Sequence, residues 1–553
     1  MRIARWMYIA LIGCSSINVA SAQPNDSKGT ADTEPLVLTP SFDFEYRTQF
    51  VGMRPLSVND LTAERVTYFD QRARVSSRIQ IGKNVRIHST FDLLDGVLFG
   101  DNGSFVGSPR RNRGSVVATK NPNLARLNIG QIDESISAFD LDNYGYILEE
   151  AEPVIVRTLF GEALTPLGLV RAGRQTISNG RNILIHDGSR INRWGISKVP
   201  DVVDGVAFAT KLSAISDIIR GSKIDKSQDN GLFAAILYGQ IVENDPTASD
   251  DLYQGAAAIF YRGKDLTLGG FDIPKIDSGL AMTNRSQGFY ETDIYNVTGY
   301  FILEMPKFYM SIFHTQMTGT TREISEGLSR LGTRVGQPGA QDLDAFGGWV
   351  ELAYRMKSFE FIFEFFYASG DDTPAVTDPI NQLTFAQDTN VGLHLFENVL
   401  YYQTARSAAR GVASLKALDA PTFPANEINT YGGLQNALVL FPQVVFEPAS
   451  WLSTRAGVMF AFTHRPVVDP VATILGSSGS SLDDDKVNFN GGKPGNYWGT
   501  EIDLGLTLKP VPGFLIDIEG AYLFTGDAFW DENEDAVDSL FGNVRLTYYY
   551  DHQ

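Results

Sequence analysis

Cysteine and histidine are scarce in this chain: among 553 residues there are one Cys, Cys14, and six His. A lone thiol closes no internal disulfide, so no disulfide framework holds the fold. The histidines, at positions 88, 186, 314, 394, 464 and 552, form neither H-E-x-x-H nor any other metal-ligand spacing, and no metal or cofactor is expected. No G-x-S-x-G elbow occurs, and Gly476-Ser477-Ser478-Gly479 reads as a flexible loop. The chain is therefore not expected to be an enzyme. His314, on a predicted strand, is the one anchor that a hydrolase site assembled across strands would have. No apolar run approaches the roughly 20 residues that a membrane-crossing helix needs. Positive charge is also in short supply: 46 Lys+Arg against 65 Asp+Glu give −19, which excludes nucleic-acid binding by bulk charge.

Glycine, at 52 residues, and aromatic side chains, at 11%, are abundant. A large, acidic, Gly-rich and Tyr/Phe-rich chain without a long apolar run fits a β-barrel of the outer-membrane type. Soluble all-β chains share some of these traits, so the pattern along the chain decides.

Residues 1–22 read as a secretory signal. Arg2 and Arg5 supply the basic start, Met7 to Ile12 a short apolar core, and Ala20-Ser21-Ala22 a cleavage site. Cleavage before Gln23 removes two arginines, taking −19 to −21, and also removes Cys14. Leu11-Ile12-Gly13-Cys14 has in addition the form of a lipoprotein box, although its signal would span only 13 residues. Residues 23–35 are polar, a flexible periplasmic lead-in, and 36–553 form the barrel.

The mature region alternates with period two, the mark of strands with two unlike faces. Phe42, Phe44, Tyr46, Thr48 and Phe50 alternate with Asp43, Glu45, Arg47 and Gln49. Ile502, Leu504, Leu506 and Leu508 oppose Glu501, Asp503, Thr507 and Lys509, and Val544, Leu546, Tyr548 and Tyr550 close the chain on one face. One face is apolar and the other densely charged over the whole length, which places lipid outside and water inside. Short turns at 82–84, 161–166, 262–265, 305–307, 356–358, 447–450 and 509–513 alternate with long connections at 94–151, 179–202, 274–289, 320–342, 370–432, 465–496 and 526–538. That asymmetry separates periplasmic turns from extracellular loops. It predicts 18 antiparallel strands from 36–51 to 539–550, with 265–273 as the ninth and both termini periplasmic. Within the excursion 370–432, the middle from Asp388 to Leu415 reads as partly helical. This excursion is the candidate lid, and 214–230, long for a periplasmic turn, the candidate gate.

Gly173-Arg174-Gln175, followed after four residues by Gly180, and Asp204-Gly205-Val206 on the next strand resemble the signature of the alginate-export family of outer-membrane barrels. Val203 stands where that family has an aromatic residue. Asn390-Val391-Gly392-Leu393 and Leu395-Phe396 are similar to part of the family's large loop. The resemblance covers stretches of 169–212 and 388–400, and implies an 18-stranded barrel that passes a sugar or other organic anion.

The candidate solute path is the basic ladder Arg72, Arg74, Arg78, Arg86 and His88, with Arg171, Arg174, Arg181, Arg190 and Arg193 in the signature region. Inward arginines lower the barrier to anions and grip carboxylates with a planar fork. Two readings stand at this point. The arginines line an anion path, or they pair with inward carboxylates such as Asp43, Glu45, Asp70, Asp92, Glu351, Glu360 and Glu364 and close the lumen. Arg171 and Arg174 have opposite parity, so one of them needs a bulge or a loop. Gly173 and Gly180 mark a bulge or a close backbone approach. Trp451, Trp498, Trp530, Tyr522, Tyr548 and Tyr550 read as interface girdles rather than sugar-stacking platforms. The acidic runs Asp483–Asp485 and Asp527–Asp538 read as solvated loop charge, with cation binding beside lipopolysaccharide as the alternative.

The expectation is a porin-like channel in the outer membrane of a Gram-negative bacterium, passing small or oligomeric polar solutes, anionic by this lining: sugar acids or polysaccharide. Its partners would be lipid, lipopolysaccharide, the anionic saccharide itself and a periplasmic export component, with no nucleic acid. The alternative is a structural or adhesive barrel whose lumen is closed.

Overall fold

Alternating side chains become a closed wall when the first strand pairs with the last. The computed structural model describes residues 38–59, 66–100, 117–118, 147–148, 152–176, 182–188, 192–197, 200–222, 230–242, 252–387, 389–418, 428–476 and 481–552. The expected signal peptide, Cys14, the lead-in, Gly180, Arg181 and Arg190 lie outside them. Eighteen antiparallel strands form one sheet. They are β1 (Leu38–Arg54), β2 (Val66–Ile81), β3 (Val85–Gly100), β4 (Glu152–Leu164), β5 (Leu169–Thr176) and β6 (Val202–Lys211). Next come β7 (Gly231–Ile241), β8 (Tyr253–Leu268), β9 (Phe271–Gln287), β10 (Thr292–Glu304), β11 (Phe308–Thr321) and β12 (Gln341–Met356). The last six are β13 (Phe359–Ala368), β14 (Ala437–Ala449), β15 (Leu452–Phe462), β16 (Tyr497–Val511), β17 (Phe514–Thr525) and β18 (Ser539–His552). The seam between β1 and β18 runs without a register break from Phe42 opposite His552 to Arg54 opposite Leu540. Closure leaves no sheet edge, the condition for strands to cross a bilayer.

The number of strands matches the expectation, but one position does not. The sequence places a turn at 262–265, a strand at 265–273 and a long connection at 274–289. In the structure β8 continues to Leu268, the chain reverses at Gly269-Gly270 with φ of 60° and 84°, and β9 occupies the presumed loop. Two consecutive left-handed residues make the tight turn that suits a hairpin, and glycine takes them without steric cost. The strand is obscured in the sequence because its outward face mixes polar Ser278, Asn284 and Ser286 with Ile276, Leu280 and Met282, while Gly279 and Ala281 blunt the inner face. The real connection after it, 288–291, is short.

Outward positions carry exposed Phe42, Phe50, Ile236, Tyr238, Ile259, Leu504, Tyr548 and Tyr550, an apolar belt of the kind that meets lipid. The inward positions divide by height. Near the loop-side end, Val51, Met53, Phe313, Trp349, Phe366, Phe441, Met459 and Leu523 pack against the excursion between β13 and β14. That excursion enters the barrel. A π-turn at Leu395–Leu400 runs into α2 (Tyr401–Ala417), which continues the predicted helix, and Leu395, Phe396, Val399 and Leu400 are fully buried. Toward the turn side the wall is charged. The stretch expected as a periplasmic gate, 214–230, opens within α1 (Leu212–Arg220), which starts directly where β6 ends.

Candidate functional site

The basic ladder occupies the inner wall of β2 and β3, as parity requires. Arg72, 1% exposed, donates from Nη2 to Glu45 Oε1 at 2.7 Å. Arg74 holds Asp92 with two bonds, Nε to Oδ1 at 2.6 Å and Nη2 to Oδ2 at 2.9 Å, and donates from Nη1 to the Gly188 carbonyl at 2.9 Å. Arg157 of β4 shares Asp92 at 2.6 Å and reaches Asp95 at 3.0 Å. Arg78 is exposed to the interior and pairs with no described residue. Arg74, Arg78, His88, Arg157, Phe160 and Asp43 surround a cavity of about 450 Å³. Nearer the turns, Glu162 accepts from Arg86 Nη1 and Arg171 Nη2, each at 3.0 Å, with His88 Nε2 at 3.4 Å.

Arg193 lies apart from this ladder. The loop after β5 folds inward, and Arg193 binds Glu351 of β12 at 2.6 Å and Glu364 of β13 at 3.0 Å. Burial works against its charge, but Glu364 and Glu351 outweigh burial and hold its pKa above the ordinary value. Trp194 Nε1 donates to Gln443 Oε1 at 2.9 Å, and the Gly195 N–H to Glu519 Oε1 at 3.1 Å. Three consecutive residues thus tie the loop to four strands on the far wall.

The excursion is fastened as firmly. The N–H groups of Leu393, His394 and Leu395 donate to the Glu501 carboxylate of β16 at 2.8, 3.0 and 2.6 Å. A carboxylate at the start of a helical segment satisfies donors that have no partner within the helix. His394 Nε2 meets Ser539 Oγ at 2.6 Å, and burial lowers its pKa to about 3, so the ring is neutral.

Several sequence assignments move. Arg174 takes its place on the outer surface, sharing its face with exposed Leu159 and Val206, and binds Asp204 at 2.9 and 2.7 Å. No bulge is needed: the register runs unbroken from Arg171 opposite Glu162 to Arg174 opposite Leu159, so Arg171 faces in and Arg174 faces out. Gly173 marks a close backbone approach, with φ of 121° and a Cβ there 2.5 Å from the Leu159 carbonyl. His314 also points outward, with Nδ1 2.6 Å from Tyr367 Oη, so it anchors no site in the lumen. Trp498 is buried and donates to the Asn436 carbonyl at 3.0 Å, which removes it from the girdle, whereas Trp451, Tyr522, Tyr548 and Tyr550 are exposed on the outside. Asp527 and Asp531 accept backbone N–H groups that shape their loop. Among the described residues, no group of three or more His, Cys, Asp or Glu could hold a metal ion.

Other interior arginines stand outside the expected solute path, among them Arg47, already on the polar face by alternation. Arg545 of β18 binds Asp517 at 3.3 Å and Glu519 at 3.1 Å, and Arg455 of β15 binds Glu519 at 2.6 Å. Arg47 lies directly opposite Arg72 in register. Arg262 of β8 lies over the rings of Phe260 and Phe233, at 4.9 and 5.9 Å. Parity places them all on the inner wall; what the sequence does not show is which of them share an acid.

No family model matches the chain, and no curated protein matches it. Among solved structures it is similar to Acinetobacter baumannii OccAB3, at 8% identity over 93% of this chain and 99% of that one, TM-score 0.48. It is similar also to Pseudomonas aeruginosa OpdO, at 10% identity over 93% and 98%, TM-score 0.44. Pseudomonas aeruginosa OpdK, solved with vanillate, gives 9% identity over 93% and 99%, TM-score 0.46. The architecture therefore rests on the chain's own strand pairing.

Proposed function

We propose that this chain is an outer-membrane channel of a Gram-negative cell that passes small or oligomeric anionic solutes. One observation carries the reading. Inside an apolar exterior, inward arginines occur on six neighbouring strands across the seam: Arg545, Arg47, Arg72 with Arg74 and Arg78, Arg86, Arg157 and Arg171. A band of guanidinium groups in a confined lumen lowers the barrier to anions and offers forks for carboxylates. The ion pairs keep the band in place, and Arg78 beside the 450 Å³ cavity, paired with no described residue, presents its charge to a passing solute.

The narrower assignment, an alginate-export-like barrel handling sugar acids, is supported by the sequence resemblance and by where its residues sit. Gly173 occupies a close backbone approach, and Asn390 to Leu400 form the anchored start of the internal helix. In this reading lipid and lipopolysaccharide meet the outer belt, and a periplasmic export component supplies the solute at the turn side.

A second reading, a structural barrel, is favoured by the apolar packing that fills the loop-side lumen. Single-channel conductance in a planar bilayer with a salt gradient separates the two. Anion-selective openings that uronate oligomers block support the channel. Cation selectivity or a silent, folded barrel overturns it.

A further inference from the structure

Glu162 differs from the other interior carboxylates because three basic side chains from flanking strands converge on it. Its carboxylate is almost fully buried, while the Arg86, His88 and Arg171 side chains around it remain 44%, 26% and 35% exposed. The acid thus lies behind and the bases lie in front. Phe160, two residues along β4, keeps the outer members apart. His88 stacks on its ring at 4.7 Å and 12°, and the Arg171 guanidinium carbon lies 4.8 Å from the ring centroid. Arg86 is braced separately, donating from Nε to Gln80 Oε1 at 2.8 Å.

We infer that Glu162 is a positioning residue for the solute at the turn-side mouth: it gathers Arg86, His88 and Arg171 into one anion-binding face, with Phe160 as the spacer. The inference rests on the anion-path reading above. A buried charge-assisted anchor fixes side chains that otherwise spread over many rotamers, so less entropy is lost when an anion docks. Glu162 then acts in two opposed ways. Its negative charge reduces the attraction of the mouth for anions, and its geometry creates the site that holds them.

That opposition gives the test, with glucuronate as the probe in planar bilayers. In Glu162→Gln the reversal potential shifts toward anions, because one negative charge is gone, while the glucuronate concentration for half-block rises about tenfold through loss of the charge-assisted anchor. Glu162→Asp restores the block. A half-block concentration that stays the same, or falls in step with the added anion preference, makes Glu162 a plain counter-charge and overturns the inference. Folding is checked by heat-dependent gel mobility. If Glu162→Gln does not fold, Phe160→Leu changes no charge and is expected to weaken the block in the same direction; an unaltered value overturns the inference. Wild-type channels that glucuronate does not block overturn the anion path and this inference together, whereas wild-type block with Glu162→Gln unmoved overturns this inference alone.

Discussion

Arg74 and Asp92 face each other across β2 and β3 with two guanidinium nitrogens engaged, at 2.6 and 2.9 Å, while Arg78, four residues along the same inner face, pairs with no described residue. The same residue type therefore serves two purposes on one strand.

Arg78→Ala is expected to shift the reversal potential away from anions with little effect on stability, since an exposed cation paired with no described residue contributes little to folding. Arg74→Ala should instead lower stability by about 3 kcal/mol, near the lower end for breaking a buried pair, because Asp92 keeps Arg157. Urea titration of barrels refolded in liposomes measures the second effect and bilayer recording the first. Equal stability losses in the two variants would remove the distinction.

Arg174→Ala is expected to leave ion selectivity where it was. Its bidentate partner Asp204 and its exposed neighbours Leu159 and Val206 are on the outer surface. A reversal potential that moves as far as in Arg78→Ala would place Arg174 in the path after all.

Arg193→Ala should raise single-channel conductance severalfold. The substitution takes the guanidinium from two buried carboxylates, Glu351 and Glu364, and breaking a buried ion pair from one side costs about 3–5 kcal/mol. The penalty falls on the inward position of the loop, which swings clear once its tie is lost. Conductance equal to the wild type would show that Trp194 and Gly195 hold the loop unaided.

Strand number and facing were legible because lipid demands apolar side chains at every second position, and a period-two signal survives without knowledge of partners. It failed at β9, where Gly279 and Ala281 give the inner face too little contrast. The ladder's position was legible for the same reason, but its pairing was not. Which acid holds Arg72 depends on register between strands, and Glu45 is a near neighbour only after β1 and β2 pair. Arg193 was hardest to place, since its partners lie more than 150 residues away. The apolar stripe of Leu395, Phe396, Val399 and Leu400 announced a helix, but not that the barrel itself would be its solvent.

Acidification should loosen the internal excursion through His394. Burial keeps this ring's pKa near 3 against an ordinary 6.5, so between those values a released segment binds a proton that the packed one refuses. The packed state is at full strength above pH 6.5 and weakens as pH falls, by roughly thirtyfold in its equilibrium constant at pH 5. Asp469, buried where Ser407 of α2 reaches it, has the opposite sign: burial raises its pKa, so protonation favours packing. His394→Gln, which can still reach Ser539 but does not titrate, isolates the histidine. Conductance of the wild type should rise from pH 7 to pH 5, and that of His394→Gln should not. An equal rise in both would assign the response to another group and free His394 from any part in it.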